Sequence, residues 1–343
     1  MQYFIYDTEG QKQALLQNCT SVQWSPNYWE SGTFEIHARR TEDNEAYLIN
    51  GNRVVCVDRN EIGFITSVLK EDDELEVHGA LNNLSQRINT TTATIRNIEQ
   101  GLLNLVTNNK RGLDINVGAP KGLTPKIKAG SQTTYDTLEE SFASYCQTGA
   151  LGFREIVKDG VLNYIEIYEG ALKSKVIFSD DLGNIKSQSF EVDASDYKNY
   201  AYVYGEESGD SRKSAIVDIH KDGEQIRELY VDARDLQTEY EDESGETQTY
   251  TDEEYQELLI ERGTQKLADA NANAYTFDFS LDPYNQIAEL GKDYDLGDII
   301  IIKSNEYGVL IHARITGLSF VEETNQETEV SITTSIESQE VLG

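Results

Sequence analysis

Short runs of β-branched and aromatic residues, each ended within a few positions by Gly, Asn or a charge, occupy both ends of this chain and restrict it to a β-rich fold. Residues 32–38, 53–57 and 63–69 are of this kind, and 74–78 alternates polar with apolar side chains as a half-buried strand does. The pattern returns at 187–192, 200–204, 214–220 and 228–231, and again at 275–281, 298–303, 308–316 and 329–334. Strands this short and this evenly broken predict a small barrel or sandwich.

Between these regions the period changes. Ile95, Ile98, Leu102, Leu105 and Val106 fall on one stripe of an amphipathic helix preceded by threonine caps. Tyr135, Leu138, Phe142 and Tyr145 predict a second helix over 135–146, with Asp136 in its first turn where the macrodipole favours an acid. A hairpin follows, 153–157 and 161–168, turned by Asp159-Gly160. Two helices and a hairpin make an α+β unit inserted between β regions. Further on, the window from Arg234 to Arg262 holds eleven acids and no basic residue inside it, the composition of a solvated surface. Within it, Thr251 and Glu254 form a capping box for a helix whose apolar face is Tyr255, Leu258, Leu259 and Leu267.

Charge narrows the function. The 61 acidic residues against 29 basic give a formal net charge of −32 over 343 residues, without the basic clusters that neutralise phosphate on nucleic acid or anionic lipid. Solubility is the plain reading of that charge. A chain of this length makes two to four domains and has no need of disulfide staples. Cys19, Cys56 and Cys146 are odd in number and show no CxxC spacing, so neither a disulfide framework nor a zinc site is expected, and the reducing cytoplasm is the simplest place of synthesis. With no basic segment at the N-terminus and no aliphatic run longer than 299–302, neither a signal peptide nor membrane insertion is expected.

The residues that carry chemistry are sparse. His37, His78, His220 and His312 each fall in an expected strand, away from metal-ligand spacing, which favours structural or surface roles. Asp218-Ile219-His220-Lys221-Asp222-Gly223 opens like a calcium loop, but its twelfth position is Leu229 where a bidentate Glu is required. Paired carboxylates for glycoside hydrolysis carry no information among so many acids. No GxSxG, P-loop or GxGxxG occurs. The sequons at Asn18, Asn83 and Asn89 are near chance frequency. Twenty tyrosines fit a carbohydrate-binding face, a protein interface or ordinary strand composition.

Several segments, taken in order, resemble the tail hub family of long-tailed bacteriophages and prophages of Gram-positive bacteria, relatives of the baseplate hubs of contractile tails. The first is Trp24-Ser25-Pro26-Asn27-Tyr28-Trp29-Glu30-Ser31-Gly32-Thr33-Phe34-Glu35, followed by Gly63-Phe64-Ile65 and by Val77-His78-Gly79-Ala80-Leu81 with Leu84 and Arg87. Tyr197-Lys198-Asn199 leads to Val203 and Gly205, and Tyr230-Val231-Asp232-Ala233-Arg234-Asp235-Leu236 comes after it. The last is Tyr294-Asp295-Leu296-Gly297-Asp298-Ile299, with Tyr307-Gly308 and Ala313-Arg314-Ile315-Thr316. Each block is short; their order along nearly the whole chain is what makes the resemblance specific.

The resemblance implies a mainly β protein with α+β insertions: two β-barrel-like tube domains and peripheral α+β domains, assembled as a homotrimer whose six tube domains match a sixfold tail tube. The expected divisions are a first tube β domain (1–92), an inserted α+β domain (93–180), a β region completing the tube and linking onward (181–236), and an acidic loop, helix and C-terminal β region (237–343), the second tube or a peripheral domain. It implies a place in the virion at the tail tip, with a distal tail protein, a tape-measure protein and a fibre or lysin component as partners and with phage DNA passing without specific binding. The motif residues then have structural duties. Gly32, Gly63, Gly79 and Gly297 should relieve turns or bulges, Asp298 should organise the start of the strand after it, and Asp232, Arg234 and Asp235 should form a charge-assisted network. Trp24, Trp29, Phe34, Arg87, Asn199, Leu296 and Arg314 complete the set. No catalytic residue, cofactor or metal is expected. Longer family members carry C-terminal wall-cleaving or fibre domains, and a chain ending at Gly343 is expected to leave such activity to another polypeptide. The competing readings are a tail-associated lysin or endopeptidase and a wall-carbohydrate-binding tail protein.

Overall fold

A computed structural model describes residues 1–206, 212–241, 247–271 and 275–341. Acids of the expected acidic loop at 242, 243 and 246, and most of the polar stretch 205–210, lie outside the described residues.

The chain opens with β1 (Tyr3–Tyr6), β2 (Lys12–Leu15), β3 (Cys19–Ser25), β4 (Thr33–Arg39), a short α1 (Glu42–Tyr47), β5 (Arg53–Cys56), β6 (Glu61–Glu71) and β7 (Glu74–Ala80). They pair antiparallel in the order β2-β1-β5-β6-β7-β4-β3. Alternation fixes the register: Val22, Trp24, Phe34, Ile36, Leu75 and Val77 point to one core while their neighbours point outward.

The first insertion runs β8 (Ala93–Asn97), α2 (Ile98–Asn109), β9 (Asn116–Val117), β10 (Lys126–Thr133), α3 (Leu138–Thr148), β11 (Leu151–Lys158) and β12 (Val161–Glu169). Both helices start later than the periodicity predicts. Ile95 belongs to β8, opposite Ser131 of β10, and Asn97 caps α2 by accepting the Gln100 amide at 2.8 Å. The stripe misled because Ile95 is buried in the same core as the helix that follows it. Tyr135 lies outside α3, exposed with φ 66°, and Asp136 accepts the Thr133 hydroxyl at 2.6 Å instead of entering the first turn. The cap is Thr137, boxed with Glu140 through bonds of 2.8 and 3.0 Å. The hairpin turn is as expected, with Asp159 and Gly160 both at positive φ, which type I′ requires.

After β13 (Leu172–Ser179) and β14 (Ile185–Val192) comes a second insertion: β15 (Tyr200–Tyr204), β16 (Ser214–Asp218), β17 (Glu228–Asp232), β18 (Glu239–Glu241), β19 (Thr247–Thr249) and α4 (Asp252–Asn271). Antiparallel β16 and parallel β17 flank β15, and α4 lays Tyr255, Leu258, Leu259 and Leu267 against Ala201, Val203, Ala215 and Val231. The capping box is present, with Glu254 accepting the Thr251 amide at 2.8 Å. β16 stops at Asp218, so His220 sits in the following turn rather than in a strand, beside the Asp218 carboxylate.

The chain closes with β20 (Tyr275–Leu281), β21 (Ile299–Ser304), β22 (Val309–Glu323) and β23 (Glu329–Val341), and with β13 and β14 these form the order β13-β21-β22-β23-β20-β14. The far half of β22 also pairs with β3, Phe320 opposite Trp24, which fuses the first and last strands of the chain into one branched sheet. Among the described residues no ladder returns on itself, so neither expected barrel is closed. One core holds residues 3–81 together with 176–178 and 277–332. The helix α4 belongs to the separate core of 201–267, so residues 237–343 divide between two packing units.

Candidate functional site

The motif residues near the N-terminus and those near 296 meet where β3 joins β22. Trp24, fully buried, stacks on Phe34 with ring centroids 5.3 Å apart. The Phe34 ring covers Gly63 and Gly79, where an added Cβ would come within 2.5 and 2.1 Å of it, and Gly32 is confined by Leu81 and the Ser25 carbonyl. None of these three glycines has positive φ. They serve close packing rather than the turns or bulges expected, although Gly79 does pair Ile65 beside a register shift in β6.

A buried charge chain crosses the same junction. Trp24 Nε1 donates to Glu61 Oε2 at 2.7 Å, Arg59 Nε donates to Glu61 Oε1 at 3.0 Å, and Arg59 Nη2 reaches Asp295 Oδ1 at 3.0 Å. The Arg59 guanidinium lies 5.1 Å from the Phe320 ring centroid. Arg59 and Glu61 carried no signal in the sequence beyond their neighbourhood to the motif.

Tyr28 ties three segments. Its amide donates to the Thr316 carbonyl at 2.8 Å, and its hydroxyl donates to the Ala150 carbonyl at 2.9 Å and accepts the Gly170 amide at 3.1 Å. Burial pushes that hydroxyl up to about 12. The ring occupies the space a side chain on Gly297 would need, and Gly297 at φ 92° also meets the conformational expectation for glycine. Asp298 accepts the Ala171 amide at 2.7 Å and the Asp295 amide at 2.9 Å, which fixes the turn before β21. Arg314 donates to the Gly297 carbonyl at 2.9 Å and to Glu337 at 2.7 Å. Leu296 is buried in the shared core, and Trp29 leans on Tyr28 at 5.9 Å.

The remaining motif residues lie elsewhere. Arg87 caps the end of α2 through the Lys110 carbonyl at 3.0 Å. Asn199, fully buried, accepts the Arg227 amide at 2.7 Å and donates to the Gln225 carbonyl at 3.1 Å. The expected network of Asp232, Arg234 and Asp235 is divided: Arg234 pairs with Asp232 in solvent, whereas Asp235 takes a two-bond grip, 2.9 Å each, from Arg262 on α4. Arg262 also donates to the Gln132 carbonyl at 2.9 Å and so joins the two insertions. Sequence adjacency favoured Arg234; a bidentate bond needs a partner facing from another element, which adjacency does not reveal.

The other face of the main sheet, across the eight strands β14-β20-β23-β22-β3-β4-β7-β6, is mostly polar, with Val321 and Leu69 among its side chains. Ser189 stands opposite Asp278, which stands opposite Thr333, and Gly317 follows on β22. From there the row continues through Val321, Gln23, Glu35, His78 and Ser67. The residues of these two rows include neither Lys nor Arg, but on the same face Arg39 stands beside Glu74 at the end of β4 and Lys186 reaches Glu329, the partner of Val321, at 3.0 Å. The Glu35 carboxylate, 2.7 Å from His37 Nε2, raises the His37 pKa. Among the described residues no group of His, Cys, Asp and Glu is arranged to hold a metal ion, and no helix is long and apolar enough to cross a membrane.

Comparison with known proteins agrees with this architecture. The model of the Siphovirus ReqiPepy6 Gp37-like protein family matches residues 2–334. No curated protein matches the chain. Among solved structures, a tail protein from Neisseria meningitidis MC58 is similar over 98% of this chain and 97% of its own, with TM-score 0.59 and 11% identity. The 43 kDa tail protein of prophage MuSo2 from Shewanella oneidensis is similar over 97% and 98%, with TM-score 0.61 and 11% identity. Prophage tail protein gp18 from Listeria monocytogenes EGD-e is similar over 98% and 96%, with TM-score 0.54 and 11% identity. At such identity the likeness is one of fold, and these three sources do not tie it to Gram-positive hosts.

Proposed function

Because the chain belongs to the Siphovirus ReqiPepy6 Gp37-like family of tail proteins, we propose that it is a non-enzymatic tail-tip hub, three copies of which form a ring around the path of the DNA. The mostly polar sheet face carries this reading. Its eight strands, three times over, make 3 × 8 = 24. At roughly 4.8 Å per strand a closed ring of them is about 115 Å round and about 37 Å across the backbone, an opening that admits a DNA duplex. Among the described residues neither half of the chain closes a barrel, and on this reading its copies complete one. The Ser, Thr and acidic side chains of these rows offer a passing polyanion no counter-charge to hold it, and the cations on the same face, Arg39 beside Glu74 and Lys186 paired with Glu329, each stand against an acid. The ring would bring 3 × −32 = −96 formal charges, which makes acidity part of its function and not only of its solubility.

On this reading the inserted α+β units decorate the outside, and the hub docks a distal tail protein and carries a fibre or lysin component. Lys substitutions at Gln23 and Thr333 test the channel: assembled particles should release DNA more slowly, and unchanged release would reject it. A strict monomer at high concentration, with no binding to a distal tail protein, would reject the hub itself.

A second reading has one observation in its favour. The face of β15 and β17 turned away from α4 presents Tyr200, Tyr202, Tyr204 and Tyr230, and rings on one sheet face suit a wall polysaccharide. Binding of the purified chain to host cell walls, lost on replacing these tyrosines by Ser, would favour it.

A further inference from the structure

The outer edge of β17 borders a cleft of about 710 Å³, within the range of ligand sites. One wall is the strand itself, Leu229–Asp232; the facing wall is the last turns of α4, with Lys266, Asp269 and Ala270, and the linker residues Asp193, Asp196 and Lys198. The linker is pinned to α4 by two bonds between Lys198 and Asn271, of 2.8 and 2.7 Å, so the groove has fixed sides.

In the parallel pairing with β15, alternate residues of β17 turn their backbone groups toward the partner. Arg227 accepts there through its carbonyl and Ala233 donates through its amide, so odd positions face β15. The amides and carbonyls of Glu228, Tyr230 and Asp232 therefore face the cleft, and among the described residues no further strand pairs with them. A row of free backbone groups in a groove between a strand edge and a helix is the geometry of peptide recognition by strand addition.

The walls also state what such a peptide carries. Asp193, Asp196, Asp232 and Asp269 outnumber Lys198 and Lys266. Asp232 is already held by Arg212 and Arg234. Lys266 reaches only Asp269 Oδ2, at 3.3 Å, while Asp269 Oδ1 is buried without a donor. The exposed carboxylates of Asp193 and Asp196 stand open in the same wall for a Lys or Arg from an added strand to pair with. The excess of carboxylates on the groove walls favours a basic segment, and this chain, with 29 Lys and Arg among 343 residues, is poor in them.

We propose that this groove binds an extended, Lys- or Arg-bearing segment of a different protein as an added strand on β17. The groove lies on the second insertion and the linker leading into it, and is independent of the tail-tip reading.

The test pans a random nonapeptide library against the full-length chain, then measures amide hydrogen exchange with the enriched peptides bound. Enrichment of Pro-free sequences carrying Lys or Arg, with slowed exchange at Tyr230 and Asp232, is the expected result, and Asp269→Lys should lose their capture. Exchange on the parent chain reads the site whether or not that variant folds. No enrichment, binding that leaves those two amides unprotected, or protection by peptides without a basic residue would each overturn the proposal. None of these outcomes bears on ring formation, which is read separately by the mass of the assembly.

Discussion

Arg59→Met isolates the charge chain that holds the two ends of the protein together. The substitution keeps the aliphatic stem against Phe320 but leaves the Glu61 carboxylate, 2% exposed, with only the Trp24 indole as a side-chain donor. Removing one partner of a buried pair costs about 3–5 kcal/mol, because the other charge stays desolvated and uncompensated. The Asp295 branch is 38% exposed on its carboxylate side and adds less, at most about 1 kcal/mol. A total near 4 kcal/mol, over a slope of roughly 2–3 kcal/mol per molar urea, lowers the unfolding midpoint by about 1–2 M. Fluorescence reports the event directly, since the chain's two tryptophans, Trp24 and Trp29, both lie at this junction. Adding Glu61→Gln to the same chain keeps an acceptor for the indole and removes the stranded charge, so at least half of the loss should return. A loss below about 1 kcal/mol, or a double variant weaker than Arg59→Met alone, would refute the assignment of this stabilisation to charge pairing.

Burial raises the Glu155 pKa to about 8 despite the Asn83 amide at its Oε1, so the fold takes up a proton that the unfolded chain releases near 4.5. Stability is therefore full below about pH 4.5 and falls as pH rises toward 8, by up to about 5 kcal/mol; Glu155→Gln should flatten that slope in urea titrations from pH 5 to 9. Arg262→Ala should cost about 2–3 kcal/mol by breaking three charge-assisted bonds, whereas Arg234→Ala, exposed and paired only with its neighbour, should leave the melting curve where it was; calorimetry of the two variants separates them. Gly79→Ala drives a Cβ to 2.3 Å from the Phe64 carbonyl, a backbone atom that cannot turn away, and should cost about 2–3 kcal/mol by thermal melting, with Phe34→Leu restoring part.

Strand positions and the α4 cap were legible because alternation and capping are local: Thr251 with Glu254, and Asp159 with Gly160, act within four residues. Helix starts were less so. Ile95 fits the helical stripe and the strand equally well, since both line one core. Gly297 showed its task locally, through a backbone turn only glycine takes easily, whereas Gly63 and Gly79 did not, because the need for them comes from Phe34, a ring donated by another strand. Arg59, Glu61 and Arg262 were missed for the same reason. Each has a partner far along the chain, and one of the 90 charged residues shows no sign that this partner lies 236, 37 or 27 positions away.

The ladder between β3 and β22 sets a schedule as well as a shape. Ser25 and Ser319, in contact across it, are 294 residues apart, and that separation is close to the largest a chain of this length allows. Until β22 exists, β3 presents an unpaired edge beside Val22 and Trp24, side chains that have no complete core to enter. The two insertions, with their own cores, can settle meanwhile. Refolding should accordingly show fast phases from the insertions and a slow one, reported by tryptophan, when the ends meet. The interval between them is when wrong pairing with other chains is most open to β3, and a host that makes many copies at once has reason to keep that interval short.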